Sequence, residues 1–466
     1  MKAFYSLLLV FVLLTSCRVS KDFKRPDTQT PRQFRNDQPA DSSLATLPHL
    51  RDFFANPLLQ ALIDTALTSN NDLRIAIKNI EYAQTTLKQV KLNYLPDLNA
   101  QLQVSRNRTA RNSFAGLGNE AFIGTLNVSD FSLNMGLNWE IDLWGRVRRQ
   151  KEQALSDLLQ NEAIKRGVQT RLVADVASGF YNLLMLDEQL KIAVHSQELS
   201  DSTVRITNIQ YRVGEATQLA IQQAKAQLEA TKQLIPQIQQ SIIQQENALS
   251  LLCGQYAKAI LRQAHTGPEF TINPKGGYEV SLLAARPDIH AAEYALRSAN
   301  ARLGIAQTAL YPRLLITAQS GLTSFQASNW LSVPGSFFWN IAGGLTQPIF
   351  QRRQLKTQVE QARIDQERAA ITFQQAVLTG YMEVSNALVA NQKLEEQIQS
   401  ATNRRQALEE GIGSTELLFK NGMANYLEII TAQSNYLQSR LAVTQLEREK
   451  ASATIELYRA LGGGWR

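Results

Sequence analysis

The 466-residue chain is 44% hydrophobic and only 19% charged, against about 25% charged for an average soluble protein, and Gln, Asn, Ser and Thr fill the difference. This balance excludes collagen and acidic disordered chains, and two cysteines, Cys17 and Cys253, cannot build a disulfide scaffold. The net charge of +7 is scattered along helical faces rather than gathered in a patch; together with the export signal described next, it excludes nucleic acid as a partner.

The N-terminus decides the compartment. Lys2 precedes an apolar run, Leu7-Leu8-Leu9-Val10-Phe11-Val12-Leu13-Leu14, far shorter than the roughly 20 residues a membrane helix needs, so residues 1–16 read as a cleaved signal peptide. Leu14-Thr15-Ser16-Cys17 resembles the lipobox of bacterial lipoproteins, which implies acylation of Cys17 at the head of an extended segment, 17–52. One acyl chain holds only marginally, at about 0.8 kcal/mol per buried CH₂, so permanence needs several chains or a second anchor.

From residue 56 to 94, Leu58, Leu62, Leu67, Leu73, Ile77, Ile80 and Leu87 keep helical spacing and predict one helix of about 38 residues, ended by Pro96. Then the period changes to two. Leu98, Ala100, Leu102 and Val104 predict a strand over about 97–106, and Phe131, Leu133, Met135, Leu137, Trp139 and Ile141 predict another over about 130–142. The Gly- and Asn-rich stretch 107–129 between them is expected as a loop. Helical spacing returns over about 144–211 and ends at Gly214, a residue suited to a left-handed cap, after which the chain turns back through Leu219 to Cys253. Cys253, between Leu252 and Gly254, is expected as a buried helix-end residue.

The second half repeats these events. Arg286-Pro287 opens a helix closed at Tyr311-Pro312; strands follow at about 313–323 and 338–348, then a long helix at about 350–419. Pro96 pairs with Pro312, Asn182 with Asn386, and Tyr211-Arg212-Val213-Gly214 with Phe419-Lys420-Asn421-Gly422, each separated by roughly 210 positions. The expected fold is mainly α with membrane β-strands: a duplicated helix-strand-strand-helix-helix unit, first copy 53–260, second 261–466.

Geometry limits what such a chain does. At about 1.5 Å per residue the long helices are rods of about 100 Å and about 105 Å. The strands are long enough for an outer-membrane barrel, in which 9–11 tilted residues span the bilayer. Four strands cannot close one, and the smallest single-chain barrels use eight, so the pattern demands an oligomer; three copies would give twelve strands. Aromatic residues near the strand ends, among them Phe131, Trp139, Trp144, Phe325, Trp330, Phe337, Phe338, Trp339 and Phe350, suit an interfacial girdle.

Cys17 with Lys21-Asp22-Phe23-Lys24-Arg25-Pro26, then Phe53-Phe54-Ala55-Asn56-Pro57-Leu58-Leu59, Asn71-Asp72-Leu73-Arg74, Arg286-Pro287-Asp288-Ile289 and Tyr311-Pro312, resemble the lipoprotein branch of TolC-type outer membrane efflux proteins. The resemblance covers nearly the whole mature chain. It implies a homotrimer with a 12-stranded barrel in outer-membrane lipid and a helical tunnel across the periplasm, acting as the passive exit duct of a tripartite efflux system. It further implies a periplasmic adaptor protein and an inner-membrane pump, commonly of the resistance-nodulation-division type.

A duct open at both ends would leak, so a closable constriction is expected at the helix reversals. Aligning on Gly422, the resemblance carries the family's acidic gate position onto Glu428; the companion position falls on Thr431, and the first-copy positions on Ala220 and Gln223. Three copies of Glu428 would make a carboxylate ring that favours cations. The turns Val213-Gly214-Glu215-Ala216-Thr217 and Asn421-Gly422-Met423-Ala424-Asn425 resemble the family's adaptor-docking tips. No catalytic residue, metal site or cofactor is expected. His49, His195, His265 and His290 lack metal-ligand spacing. Gly116-Leu117-Gly118-Asn119-Glu120-Ala121 fits a loose dinucleotide pattern, but it lies between two predicted strands and is expected to open no helix. A lipid-anchored coiled-coil scaffold would explain the rods but not four alternating strands.

Overall fold

A computed structural model describes residues 19–27, 30–31, 33–35, 47–263, 270, 272 and 277–465. After a single helical turn at Leu50–Phe53, its elements are α1 (Pro57–Ser69), α2 (Asn71–Leu92), β1 (Asp97–Arg108), α3 (Phe114–Phe122), β2 (Asn127–Ile141), α4 (Arg146–Arg212), α5 (Gln218–Leu252), α6 (Pro287–Thr308), β3 (Arg313–Ser324), β4 (Phe337–Thr346), α7 (Gln354–Lys420) and α8 (Tyr426–Ala460). Both long helices, α4 and α7, have 67 residues. The described residues divide into two compact units: one from 19–26, 81–159 and 294–371, which holds the strands, and a helical one from the described residues of 27–80, 160–293 and 372–465.

In the first unit the strands form one antiparallel sheet ordered β1-β2-β3-β4. Both edges belong to this arrangement's ends, β1 and β4. Registers such as Leu98↔Leu137, Leu137↔Ala318 and Ala318↔Ile341 put the apolar residues of all four strands on one face. That face is bare: Leu98, Leu102, Val104, Trp339, Ile341 and Leu345 are each more than 60% exposed. The opposite face carries Asn99, Gln101, Asn134, Asn138, Thr317, Gln319 and Asn340 around a hollow of about 320 Å³. A period of two thus sorts amides from hydrocarbon across a single backbone layer. At the helix end of the sheet, the Trp144 indole donates to the Pro312 carbonyl at 2.7 Å and stacks obliquely on Tyr311, while Trp139 donates to the Tyr94 carbonyl at 2.9 Å. Each indole therefore satisfies its N–H while leaving its ring for an interface. Among the described residues no helix is long and apolar enough to cross a membrane.

Two expectations differ from the structure. The single helix expected over 56–94 is broken at Asn70, whose backbone is extended (φ −61°, ψ 131°). Asn70 donates its amide to the Leu252 carbonyl at 2.9 Å and accepts from the Leu73 N–H at 3.0 Å, so it ends α1, caps α2 and ties both to the end of α5. Gly254 makes the approach possible: it sits at φ +64°, and a Cβ there would fall 2.2 Å from the Ser69 carbonyl oxygen. The stretch 107–129 is not all loop, and the glycines expected to open no helix lie in one. Ser113 caps α3 by accepting from the Gly116 N–H at 3.0 Å, and Gly116 packs so tightly on Ala110 that a Cβ would be 2.0 Å from its oxygen. This helix joins antiparallel neighbours, so the dinucleotide context is absent.

The helical unit is organised by an aromatic cluster and a buried cation. Phe53 stacks on Tyr458 with ring centroids 3.9 Å apart and meets Phe54 edge-on at 4.6 Å; Phe270 lies 5.3 Å from Tyr181 and 5.4 Å from Phe53. Arg286, 3% exposed, donates to Ala460 O at 2.7 Å, to both oxygens of Asp288 at 3.0 and 2.7 Å, and to Glu383 at 2.7 Å. It therefore closes the C-terminus of α8 against the start of α6 and the middle of α7. Arg262, just past the first copy, likewise pairs with two of that copy's carboxylates, Asp187 at 2.6 Å and Glu246 at 2.5 Å. Cys253 caps α5 and is buried, which pushes its thiol pKa up.

Burial pushes the Asp288 carboxyl up, but the hydrogen bonds and charge of Arg286, with the Ile289 N–H, bring it below the ordinary carboxylate value. A carboxyl depressed in the folded state contributes stability that is present above its unfolded pKa, about 3.9, and is lost as the pH falls through the folded value. Arg286→Met is expected to lower the unfolding free energy by about 3 kcal/mol, because it leaves carboxylates without their buried partner. The penalty of Asp288→Asn is expected at pH 7 and shrinks below about pH 4. Denaturant unfolding of the detergent-extracted protein across pH checks both.

Candidate functional site: the paired hairpin tips

The two helix reversals lie in the helical unit, and the structure brings them together. Gly214 takes φ +83° after α4, and the Glu215 N–H returns to Gln210 O at 2.8 Å; Gly422 takes φ +70° after α7, and the Met423 N–H returns to Leu418 O at 2.8 Å. Both are left-handed caps, which glycine adopts without a Cβ penalty. A Cβ on Gly422 would sit 3.7 Å from Glu215 Oε2, so one tip borders the other.

Each return helix starts on a side-chain cap. Thr217 accepts from the Ala220 N–H at 3.2 Å to begin α5. Asn425 accepts from the N–H groups of Leu427 and Glu428 at 2.9 and 3.0 Å, and Glu428 Oε2 accepts from the Asn425 N–H at 3.0 Å. This capping box uses Glu428 for local structure and, at a helix N-terminus, places its negative charge where the helix dipole favours it. Glu428, Thr431 and Gln223 are all exposed. Thr431 stands one turn beyond Glu428 on α8; Gln223 is on α5. Around the turns Val213, Leu219, Met423 and Leu427 are each more than half exposed.

Buried Phe419 and Ile429 lie where the hairpins meet, and the hydrogen bonds that join the hairpins came with no sequence signal. Gln210 Nε2 donates to Phe419 O at 3.0 Å, tying α4 to the end of α7. Gln433, buried on α8, donates to Thr203 Oγ1 at 2.9 Å and Leu199 O at 3.3 Å on α4. Beside them Leu199, Thr203, Ile206, Phe419, Ile429 and Gln433 line a cavity of about 340 Å³. The hairpins are therefore joined by buried Phe419 and Ile429 and a few hydrogen bonds beside a partly hollow contact, whereas another part of the unit is held by the aromatic cluster and Arg286.

Cys17 and His265 lie outside the described residues. Just downstream of Cys17, in the strand-bearing unit, Arg149 is 1% exposed and grips the N-terminal segment: it donates to Ser20 Oγ at 2.7 Å, Ser20 O at 2.9 Å and Asp22 Oδ1 at 2.9 Å. Arg297 lies over the Phe23 ring at 5.0 Å, and Gly304 leaves the space that Ser20 and Arg149 fill. No pattern in the sequence singled out Arg149. Among the described residues no three His, Cys, Asp or Glu side chains are grouped to hold a metal.

A four-stranded sheet with one hydrocarbon face and one amide face, in a chain that also forms two long helical hairpins, suits an outer-membrane channel. The chain belongs to the outer membrane efflux protein family, whose description matches residues 62–255 and 280–463. It is 28% identical over 468 residues to the cation efflux system protein CusC of Escherichia coli O157:H7, covering 98% of each chain. It is 28% identical to the toluene efflux pump outer membrane protein TtgC of Pseudomonas putida, covering 100% of this chain and 96% of that one, and 26% identical to the probable outer membrane lipoprotein SilC of Salmonella typhimurium, covering 99% and 98%. A crystal structure of CusC superposes with a TM-score of 0.86 at 27% identity over 96% of this chain and all of that one. The open state of the Neisseria gonorrhoeae MtrE channel gives 0.83 at 26% identity over 97% and 99%. The protein is an outer membrane efflux channel.

Gly214→Ala and Gly422→Ala are each expected to cost about 1 kcal/mol, because alanine resists the left-handed conformation. The loss should appear as faster amide exchange confined to the tips, with the Arg286 region unchanged.

Proposed function

We propose that three copies form the passive exit duct of a tripartite efflux system. β4 of each copy pairs with β1 of the next, giving a 12-stranded barrel in the outer membrane and a helical tunnel below it. The observation that carries this reading is the four-stranded sheet with an apolar face and two open edges: in hydrocarbon every backbone N–H and C=O must be paired, and four strands cannot do that alone. Acylation of Cys17 adds a lipid anchor, and the Arg149 grip on Ser20 keeps the following segment on the protein.

The tips are the periplasmic end. A periplasmic adaptor docks on Val213, Gly214, Glu215, Ala216 and Thr217 and on Asn421, Gly422, Met423, Ala424 and Asn425, where exposed apolar side chains flank the turns. An inner-membrane pump of the resistance-nodulation-division type supplies cargo and energy; the chain itself performs no catalysis. Glu428, Thr431 and Gln223 line the gate, with Glu428 as its charged group. The names of similar proteins span cations and toluene, which suits a duct whose wall is mostly uncharged amide and whose pump chooses the cargo.

The test is the native mass of the detergent-extracted protein and its conductance in planar bilayers. A trimer with small, cation-selective conductance is expected; a water-soluble monomer without conductance overturns the reading. Because Glu428 also closes a capping box, Glu428→Gln is the informative variant: glutamine keeps the cap and removes the charge. It is expected to reduce cation selectivity with unchanged tip exchange rates, while Glu428→Ala alters both. A trimeric pore indifferent to Glu428→Gln keeps the duct and moves the gate.

A further inference from the structure

The helix α3 carries an apolar face that nothing in its own chain covers. Phe114 and Phe122 are 96% and 93% exposed, and Leu117 is 61% exposed. At 100° per residue these three side chains share one side of the helix with Ala121. The other side is pinned. Gly116 abuts Ala110, the Asn119 amide donates to Thr109 Oγ1 at 3.2 Å, and Arg111 pairs with Glu120 at 2.6 Å. The aromatic face is therefore held outward by its own anchoring contacts.

A second apolar cluster occupies the β3–β4 connection at the same end of the sheet: Phe325, Leu331, Val333 and Phe337 are 54%, 70%, 70% and 51% exposed. This connection is also built rather than loose. Ser336 Oγ donates to Asn329 O at 2.6 Å, the Trp330 indole reaches Leu322 O at 3.4 Å, and its ring lies 5.8 Å from Phe131. Within one sheet the two connections belong to opposite edges, because the strand order is β1-β2-β3-β4. When copies close a barrel, each β1 lies beside the β4 of its neighbour, and each β1–β2 connection then adjoins the neighbour's β3–β4 connection.

We propose that α3 is an intersubunit clasp: its Phe114, Leu117 and Phe122 face packs against Phe325, Leu331 and Val333 of the adjacent copy, sealing the barrel seam at the end remote from the long helices. This rests on the trimeric reading above. A second copy fits better than the bilayer surface, because α3 contains no Lys or Arg, whereas helices that lie in a membrane interface combine an apolar face with basic residues. Aromatic side chains bury about 150–250 Å² each, so Phe114 and Phe122 of one copy with Phe325 of the next, repeated at three seams, supply substantial contact where strand pairing ends.

The test uses the full chain, extracted as the native oligomer. The paired variant Phe122→Cys/Val333→Cys and, separately, Phe114→Cys/Leu331→Cys are oxidised and run on non-reducing gels, with every single variant as control; Cys253 is buried and silent. Covalent dimers and trimers from at least one pair, and monomers from the singles, are the expected result. Phe114→Asp/Phe122→Asp is expected to lower the temperature at which the oligomer dissociates. Native mass read beforehand separates the two ideas: a monomer sinks the trimeric reading itself. A trimer with no cross-link and an unchanged dissociation temperature overturns the clasp. Cross-linking by Phe114→Cys or Phe122→Cys alone would mean that α3 meets α3, and quenching of Phe122→Trp by brominated lipid would put the face in the bilayer; either also overturns it.

Discussion

Everything in this protein follows from the edges of its sheet. A strand in water can leave its outer N–H and C=O groups to solvent, but one in hydrocarbon cannot, at a cost of several kcal/mol for each orphaned group. The sheet joins β1 and β2 of the first copy to β3 and β4 of the second, through the β2–β3 register from Phe131↔Ser324 to Ile141↔Leu314. Duplication thus removes two edges and leaves two. Those two, on a sheet with a hydrocarbon face, make association a condition of residence in the membrane rather than an addition to a finished fold.

The copies solve the same packing problems with different chemistry. Where a short helix meets the end of a return helix, the first copy uses Asn70 against Leu252 O, with Gly254 admitting the backbone. The second uses Arg286 against Ala460 O, with Gly380 leaving room for the guanidinium. At the entry to the long helices the first copy turns on Gly145 at φ +77°, whereas the second places Arg352 and Arg353 at φ +47° and +65°. Ordinary residues in that region are strained. At these two places the second copy puts arginine where the first uses an amide or a glycine, so the duplicated halves differ in chemistry while keeping one outline.

What the sequence made legible was whatever repeats along a single strand or helix. Alternation from Phe131 to Ile141 required no partner to be read, nor did helical spacing ending at Gly214 and Gly422. What stayed hidden depends on partners distant in sequence. The break at Asn70 needs Leu252 and Gly254, about 180 residues on. The helix α3 hid because its glycines weigh against helix while its stability comes from Ala110, Thr109 and Arg111. At the tips, Asn425 followed three positions later by Glu428 is a capping-box signature that could have been read, and it gives Glu428 structural work beside any role in the pore. Gln210, Gln433 and Arg149 had no such signal: a buried amide or guanidinium looks, in sequence, like a solvated one.

The distribution of these partners also differs between the two regions of the helical unit. The aromatic cluster of Phe53, Phe54, Phe270 and Tyr458 and the Arg286 ion cluster concentrate dense, desolvated contact in one part of the helical unit. The tip region has Gln433 with Thr203, Gln210 with Phe419 O, and a cavity of about 340 Å³ between them. Hydrogen bonds of this kind contribute about 1 kcal/mol each and exchange readily with water, while stacked rings and buried ion pairs have no such substitute. The two regions of the helical unit therefore differ in the kind of contact that holds them: stacked rings and a buried cation in one, and in the other buried Phe419 and Ile429 with a few hydrogen bonds beside a hollow.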